Sequence, residues 1–194
     1  MSRSDNLYEL PQGLPAPQDD GACGHLVGMR VPSVSLLSTE GESVDLSGLA
    51  GHTVVYCYPR TGRPDEDPLP GWDAIPGARG CTPQSCGFRD HYSELIALGV
   101  QNVFGLSTQG TAYQREAAQR LHLPFALLSD EKLELAHGLA LPTFEVAGMT
   151  LIKRLTMVLR AGTIEHVFYP VFPPDTNAPN VIHWLVERSS VGRS

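Results

Sequence analysis

Residues 53–58, TVVYCY, constrain the fold more than any other part of the chain. This short, unbroken apolar run is rich in β-branched and aromatic side chains, the pattern of a strand buried on both faces. Pro59 ends it. The next stretch, RTGRPDEDPLPGWDAIPGARG (60–80), fits neither a helix nor a strand, because Pro64, Pro68, Pro70 and Pro76 fix φ and remove backbone donors. A loop of that length inside a compact domain is uncommon and marks a lid, a binding loop or an insertion.

The rest of the 194 residues alternate in type around this pair of features. VSLL (34–37) and SVDL (43–46) flank a turn at Gly41 and read as a β-hairpin. Residues 81–98 read as one helix, with Phe88, Tyr92, Leu95 and Leu98 on a single apolar face, Pro83 in the first turn and Gly99 beyond the end. VQNVFGLS (100–107) is a second central strand. Thr111 with Gln114 reads as a capping box for a helix to about Leu121. Pro124–Leu128 is extended, and Ser129 caps a short helix ending at Gly138. Residues 152–160 and 163–169 read as two strands joined at Ala161-Gly162. Asn177 opens a terminal helix to about Arg188. Strands alternating with helices, then a closing hairpin, predict an α/β domain with a mixed sheet. The domain is expected over 31–194, preceded by an N-terminal extension over 1–30. Leu7, Tyr8, Leu10 and Leu14 either wrap that extension onto the domain or leave it mobile.

Composition narrows the function. Hydrophobic residues make up 42% of the chain, enough to fill a core, while charged residues are 18% and the formal net charge is −7. Such a surface argues against a nucleic-acid binder, which needs a basic stripe, and against docking on anionic membranes. No apolar run approaches the ~20 residues of a membrane span. MSRSDNLYELPQG has no apolar signal region, so a cytoplasmic protein is expected. In that reducing compartment cysteines are more often reactive than structural.

Cys81 stands where the predicted helix starts, after a buried strand and a Pro/Gly-rich loop. Free backbone N–H groups and the helix dipole favour a thiolate there. A lone cysteine is ordinarily a small buried hydrophobe; Cys86, five residues on, points instead to a redox pair. Five residues of intact α-helix rise about 7.5 Å, beyond the ~7 Å between Cα atoms that a disulfide tolerates. The two sulfurs can bond only if the first helical turn unwinds.

The decapeptide CTPQSCGFRD (81–90) resembles the active-site segment of the bacterioferritin comigratory, or Q-type, peroxiredoxins, C-T-x-Q-x-C-G-x-R-D. Cys81, Thr82, Gln84, Cys86, Gly87, Arg89 and Asp90 match in place. Tyr58-Pro59, FGLSTQ (104–109), LLSD (127–130) and KRLTMVLRAGTIEHVF (153–168) are similar to the family's other segments, so that the resemblance covers about 31–188. It implies a thioredoxin-like fold, with a central mixed sheet flanked by helices, and a thiol peroxidase for hydrogen peroxide or alkyl hydroperoxides. Cys81 would be the peroxidatic cysteine and Cys86 the resolving one, joined in an intramolecular disulfide. Arg154 would be the active-site arginine. Pro59, Thr61, Thr82 and Gln84 would support the site. A thioredoxin- or glutaredoxin-like donor would restore the thiols. No metal, flavin or haem is implied, and the relatives imply a monomer or weak homodimer.

Two departures from the family pattern stand out. Its P-x-x-x-T-P-x-C has a threonine three residues before the cysteine, where this chain has Ala78. Pro59 is also too far from Cys81, because about fifteen residues near 61–75 appear as an insertion within the 60–80 loop. Thr61, just after Pro59, or Thr82 would then supply the hydroxyl, with Thr61 favoured. Three alternatives stay open: a one-cysteine peroxidase with Cys86 idle, a non-enzymatic redox sensor or interaction protein, and a metal site at Cys81, Cys86 and His91. Cys57 is expected in the core. Cys23-x-His25 reads as an incidental pair rather than a metal half-site.

Overall fold

The computed structural model describes residues 6–191; residues 1–5 of the expected extension and 192–194 of the expected domain lie outside it. Among the described residues, seven strands form one mixed sheet in the order β2-β1-β5-β4-β3-β8-β9. They are β1 (Leu36–Ser38), β2 (Ser43–Val44), β3 (His52–Cys57), β4 (Val100–Ser107), β5 (Leu127–Ser129), β8 (Leu155–Arg160) and β9 (Thr163–Phe168). β3 sits centrally, parallel to β4 and antiparallel to β8.

The burial expected of 53–58 holds on both faces. Val54, Tyr56 and Tyr58 point into one core with Phe88, Leu95, Val181 and Leu185. Val55 and Cys57 point into the other with Cys23, Leu26, Leu135 and Leu139. The first core is covered by helices α1 (Cys81–Asp90), α2 (Tyr92–Ala97), α3 (Thr111–Arg120) and α5 (Asn177–Val191). The second is closed by α4 (Glu134–Gly138) and by the N-terminal segment itself. No helix among the described residues is long and apolar enough to cross a membrane.

Several local expectations are corrected. The helix predicted over 81–98 is interrupted at His91, whose φ of −98° and ψ of 7° leave the helical region, although Phe88, Tyr92 and Leu95 still share one core across the break. The Thr111–Gln114 capping box does not form: Gly110 stands at the cap position, and buried Gln114 donates to Ser107 Oγ and the Leu128 carbonyl. Asp130, not Ser129, caps the turn into α4, accepting the Leu135 and Ala136 amides. An antiparallel ribbon, β6 (Thr143–Val146) with β7 (Met149–Ile152), was not anticipated.

That ribbon explains the 60–80 stretch. The stretch is irregular apart from one 3-10 turn over Trp72–Ala74. It is nevertheless packed: Trp72 and Ala78 form a small third core with Leu151, flanked by Leu69, Ile75 and Phe144. The N-terminal segment wraps the domain rather than leaving it. Leu7, Cys23 and Leu26 are buried, Asp20 pairs with Lys153 at 2.7 Å, and at the start of β9 the Ile164 amide donates to the Met29 carbonyl and the Val31 amide to the Gly162 carbonyl.

Candidate active site

Cys81 is the first residue of α1, and Gly80 before it has a φ of +105°. Only glycine holds that conformation easily, and a Cβ there would collide with Pro174 Cγ and Leu10 Cδ2. The chain therefore turns sharply into the helix and leaves Cys81 against its unpaired N-terminal amides. The cysteine is only 3% exposed. It lines a pocket together with Leu7, Thr61, Trp72, Arg79, Thr82 and Tyr113.

Arg154 points its guanidinium at that sulfur, with Nη2 3.2 Å from Sγ. The expectation that it lies inside a strand is corrected: it occupies the bend between β7 and β8. The bend frees its side chain to reach across the sheet end. Arg154 is buried and needs acceptors for its five N–H groups. It donates to the carbonyls of Gly77 (3.3 Å), Ala78 (3.1 Å) and Arg79 (3.2 Å) and to Gln84 Oε1. Three of these acceptors are backbone groups of the segment that leads into Cys81. Ala78 thus contributes its carbonyl where the family pattern has a hydroxyl.

Gln84 extends the network. Its Nε2 donates to Asn177 Oδ1 at 2.9 Å, and Thr156 Oγ1 donates to the same oxygen at 2.7 Å. Thr61 is buried and tied to Gln109: its amide and its hydroxyl both donate to Gln109 Oε1, at 2.9 and 3.1 Å, while Gln109 Nε2 donates to the Thr61 carbonyl. With its proton committed, the Thr61 hydroxyl has only lone pairs left for the pocket. Thr82 lines the same pocket. Pro59 is buried behind Arg154, lining a separate groove with Ile75, Phe144 and Tyr169.

Cys86 stands apart from this arrangement. All four cysteines are free thiols. Cys86 is half-buried and borders a different hollow with Tyr8, Leu10, His91 and Asp175. Desolvation raises its pKa above the ordinary value of 9.0, against the pull of Arg89. Both sulfurs belong to one continuous helix, so the wound state separates them as the spacing predicted. Cys57 and Cys23 belong to the core; burial lifts the Cys23 thiol to about 12, while His25 Nε2 bonds the Leu139 carbonyl. Among the described residues no three His, Cys, Asp or Glu side chains gather as a metal site, including Cys81, Cys86 and His91.

Sequence reasoning missed Arg79, Asn177 and Tyr113. Arg79 is 6% exposed, lines the Cys81 pocket and donates to Asp73 Oδ1 and the Asn6 carbonyl, both at 3.3 Å. Its place two residues before Cys81 was a usable signal. Tyr113 lies under Arg63 at 4.2 Å and donates to Glu66 at 2.8 Å, closing the pocket's rim. Asn177 carries no motif that marks it.

Comparison with known proteins bears on both family and fold. The redoxin family model matches residues 26–182. Peroxiredoxin Q, chloroplastic, of Oryza sativa subsp. japonica is 33% identical over 156 residues, covering 79% of this chain but 64% of that protein, so the match spans a little under two thirds of the rice protein's length. Peroxiredoxin Bcp of Escherichia coli K12 is 32% identical over 167 residues, covering 84% of this chain and 96% of that protein. Among solved structures, peroxidoxin BcpB of Mycobacterium tuberculosis superposes with a TM-score of 0.68 at 24% identity over 84% of this chain and 98% of that one. Xanthomonas campestris peroxiredoxin Q superposes at 0.64 with 21% identity over 82% and 96%. The structural likenesses bear on fold, and they bear out the expected architecture.

Proposed function

The chain belongs to the redoxin family, within the peroxiredoxins of the Q/Bcp kind, and from that premise we propose that it is a thiol-dependent peroxidase with Cys81 as nucleophile. The observation that carries this reading is the Arg154 guanidinium 3.2 Å from a cysteine sulfur at a helix N-terminus, inside a pocket. The guanidinium and the amides of the helix start are donors that can meet the charge developing on a departing oxygen.

The reaction runs in three steps. The Cys81 thiolate attacks one peroxide oxygen and the O–O bond breaks, leaving Cys81 as sulfenic acid. The departing hydroxide or alkoxide takes a proton and leaves as water or alcohol. Thr61 accepts a hydrogen bond from the peroxide O–H through its free lone pairs, and Arg154 donates to the oxygens. Second, α1 unwinds and Cys86, as thiolate, attacks the sulfenic sulfur; an S–S bond forms, the S–O bond breaks, and the departing hydroxide takes up the proton that Cys86 gave up and leaves as water. Third, a dithiol donor of thioredoxin or glutaredoxin type reduces that disulfide by exchange and is itself oxidised. A cytoplasmic monomer or weak homodimer completes the proposal.

A steady-state assay with hydrogen peroxide, comparing wild type, Cys81→Ser and Cys86→Ser with thioredoxin and glutathione as donors, tests it. Cys81→Ser is expected to abolish turnover and Cys86→Ser to abolish the thioredoxin-supported rate. If Cys86→Ser keeps full thioredoxin-supported turnover, a one-cysteine mechanism replaces this one. If wild type shows no turnover, the enzymatic reading fails and the scaffold serves as a sensor or interaction module.

A further inference from the structure

We propose that Asn177, outside every motif of the sequence, is a positioning residue that sets two successive rates of the cycle in opposite directions. The inference rests on the peroxidase reading above. Asn177 is 1% exposed and is the first residue of α5. Its Oδ1 accepts two hydrogen bonds, from Gln84 Nε2 and Thr156 Oγ1.

The direction of these bonds follows from donor chemistry. Arg154 has only donors, so Gln84 must present its oxygen to Arg154 Nη1. Its amide nitrogen is then turned away and needs an acceptor in a dry site. Asn177 Oδ1 is that acceptor, and the Thr156 hydroxyl donating to the same atom reinforces the orientation. Without Asn177 the buried Gln84 N–H groups lose their partner, and flipping the amide would set N–H against a cation. The chain Thr156–Asn177–Gln84–Arg154–Cys81 therefore fixes the guanidinium on the sulfur.

The same contact restrains the helix. Gln84 lies between Cys81 and Cys86 in α1, and the turn before α5 packs on α1 on either side of that segment: Pro174 lies on Gly80, and the Asp175 carbonyl would lie 3.3 Å from a Cβ on Gly87. Unwinding that joins the sulfurs pulls Gln84 off both Arg154 and Asn177. Asn177 thus favours peroxide attack and opposes disulfide closure, a pairing that a purely structural role would not produce.

The test follows oxidation by hydrogen peroxide with rapid acid quench and mass analysis in wild type, Asn177→Ala, Asn177→Asp, Gln84→Met and the Gln84→Met/Asn177→Ala double variant. Asn177→Ala is expected to slow sulfenic-acid formation about tenfold and to speed closure of the disulfide several-fold. Asn177→Asp keeps an oxygen acceptor and is expected to return both rates to within about threefold of wild type. Because Asn177 acts through Gln84, adding Asn177→Ala to Gln84→Met should change neither rate by more than about twofold. Rates that fall together, rates that stay unchanged, or effects that multiply in the double variant overturn the proposal. If Asn177→Ala does not fold, Thr156→Val must show the same opposed shifts at smaller size, and their absence there overturns it equally. Alkylation of Cys81 by iodoacetamide without peroxide, expected to slow in Asn177→Ala, reads the arginine's placement even if wild type turns out to lack peroxidase activity.

Discussion

At the scale of single residues, the pocket divides labour between a cation whose position is over-determined and a hydroxyl whose proton is already spent. Arg154 is held by three carbonyls and one amide oxygen, so replacing it leaves those acceptors buried and unmet. Arg154→Met is expected to lower kcat/KM for hydrogen peroxide by about 10²–10³-fold, the scale of losing one preorganised donor, together with a drop in melting temperature. Thr61→Val removes a lone-pair acceptor from the pocket while the residue-61 amide still donates to Gln109 Oε1; about a tenfold loss in kcat/KM is expected, measured by competition for peroxide. A Thr61→Val enzyme as fast as wild type would pass the hydroxyl role to Thr82. Cys81 and Cys86 were legible because the same short segment names both. Asn177 and the Thr61–Gln109 contact were not, since the partners stand 93 and 48 residues apart along the chain and no local pattern brings such pairs together.

At the scale of elements, the central strands were the readable part. β3 and β4 run close to the predicted limits: β3 is an almost unbroken apolar run, and β4 is mostly buried from Val103 onwards, with Gln101 and Asn102 confined to its start. The ribbon β6–β7 escaped notice because its strands are half-exposed and mixed in composition, and the break at His91 because apolar spacing continues across it. Helix α1 is the element on which the proposed cycle turns. Gly80→Ala is expected to cost about 2–4 kcal/mol in chemical denaturation, from a left-handed φ combined with collisions against Pro174 and Leu10. Burial raises the Cys86 pKa above its unfolded value. The wound helix therefore gains stability while the thiol stays protonated in both states, below about pH 9, and loses it as pH rises through the higher folded value. Alkylation of Cys86 should lag that of an unstructured cysteine peptide most below pH 9, with the gap closing above it.

At the scale of the whole molecule, the N-terminal segment, the 60–80 stretch and the β6–β7 ribbon form one continuous wall around the cysteine. Asp20 pins the first of these, and its carboxyl is lowered from 3.8 to about 2, chiefly by the Lys153 hydrogen bond and then by Tyr169. A depressed carboxylate stabilises the fold above pH 3.8, and that contribution disappears as pH falls towards about 2. Asp20→Asn should therefore be less stable than wild type at pH 5, with the two acid-unfolding curves converging near pH 2. The wall also places the two tryptophans differently. Trp72 is 7% exposed and lines the Cys81 pocket, whereas Trp184 stacks on His166 with Arg188 over its ring. The chain thus carries its own optical gauge: with Trp184 replaced by Phe, the remaining indole would emit from beside the reacting sulfur, and each turn of the helix out of register would register as a change in light.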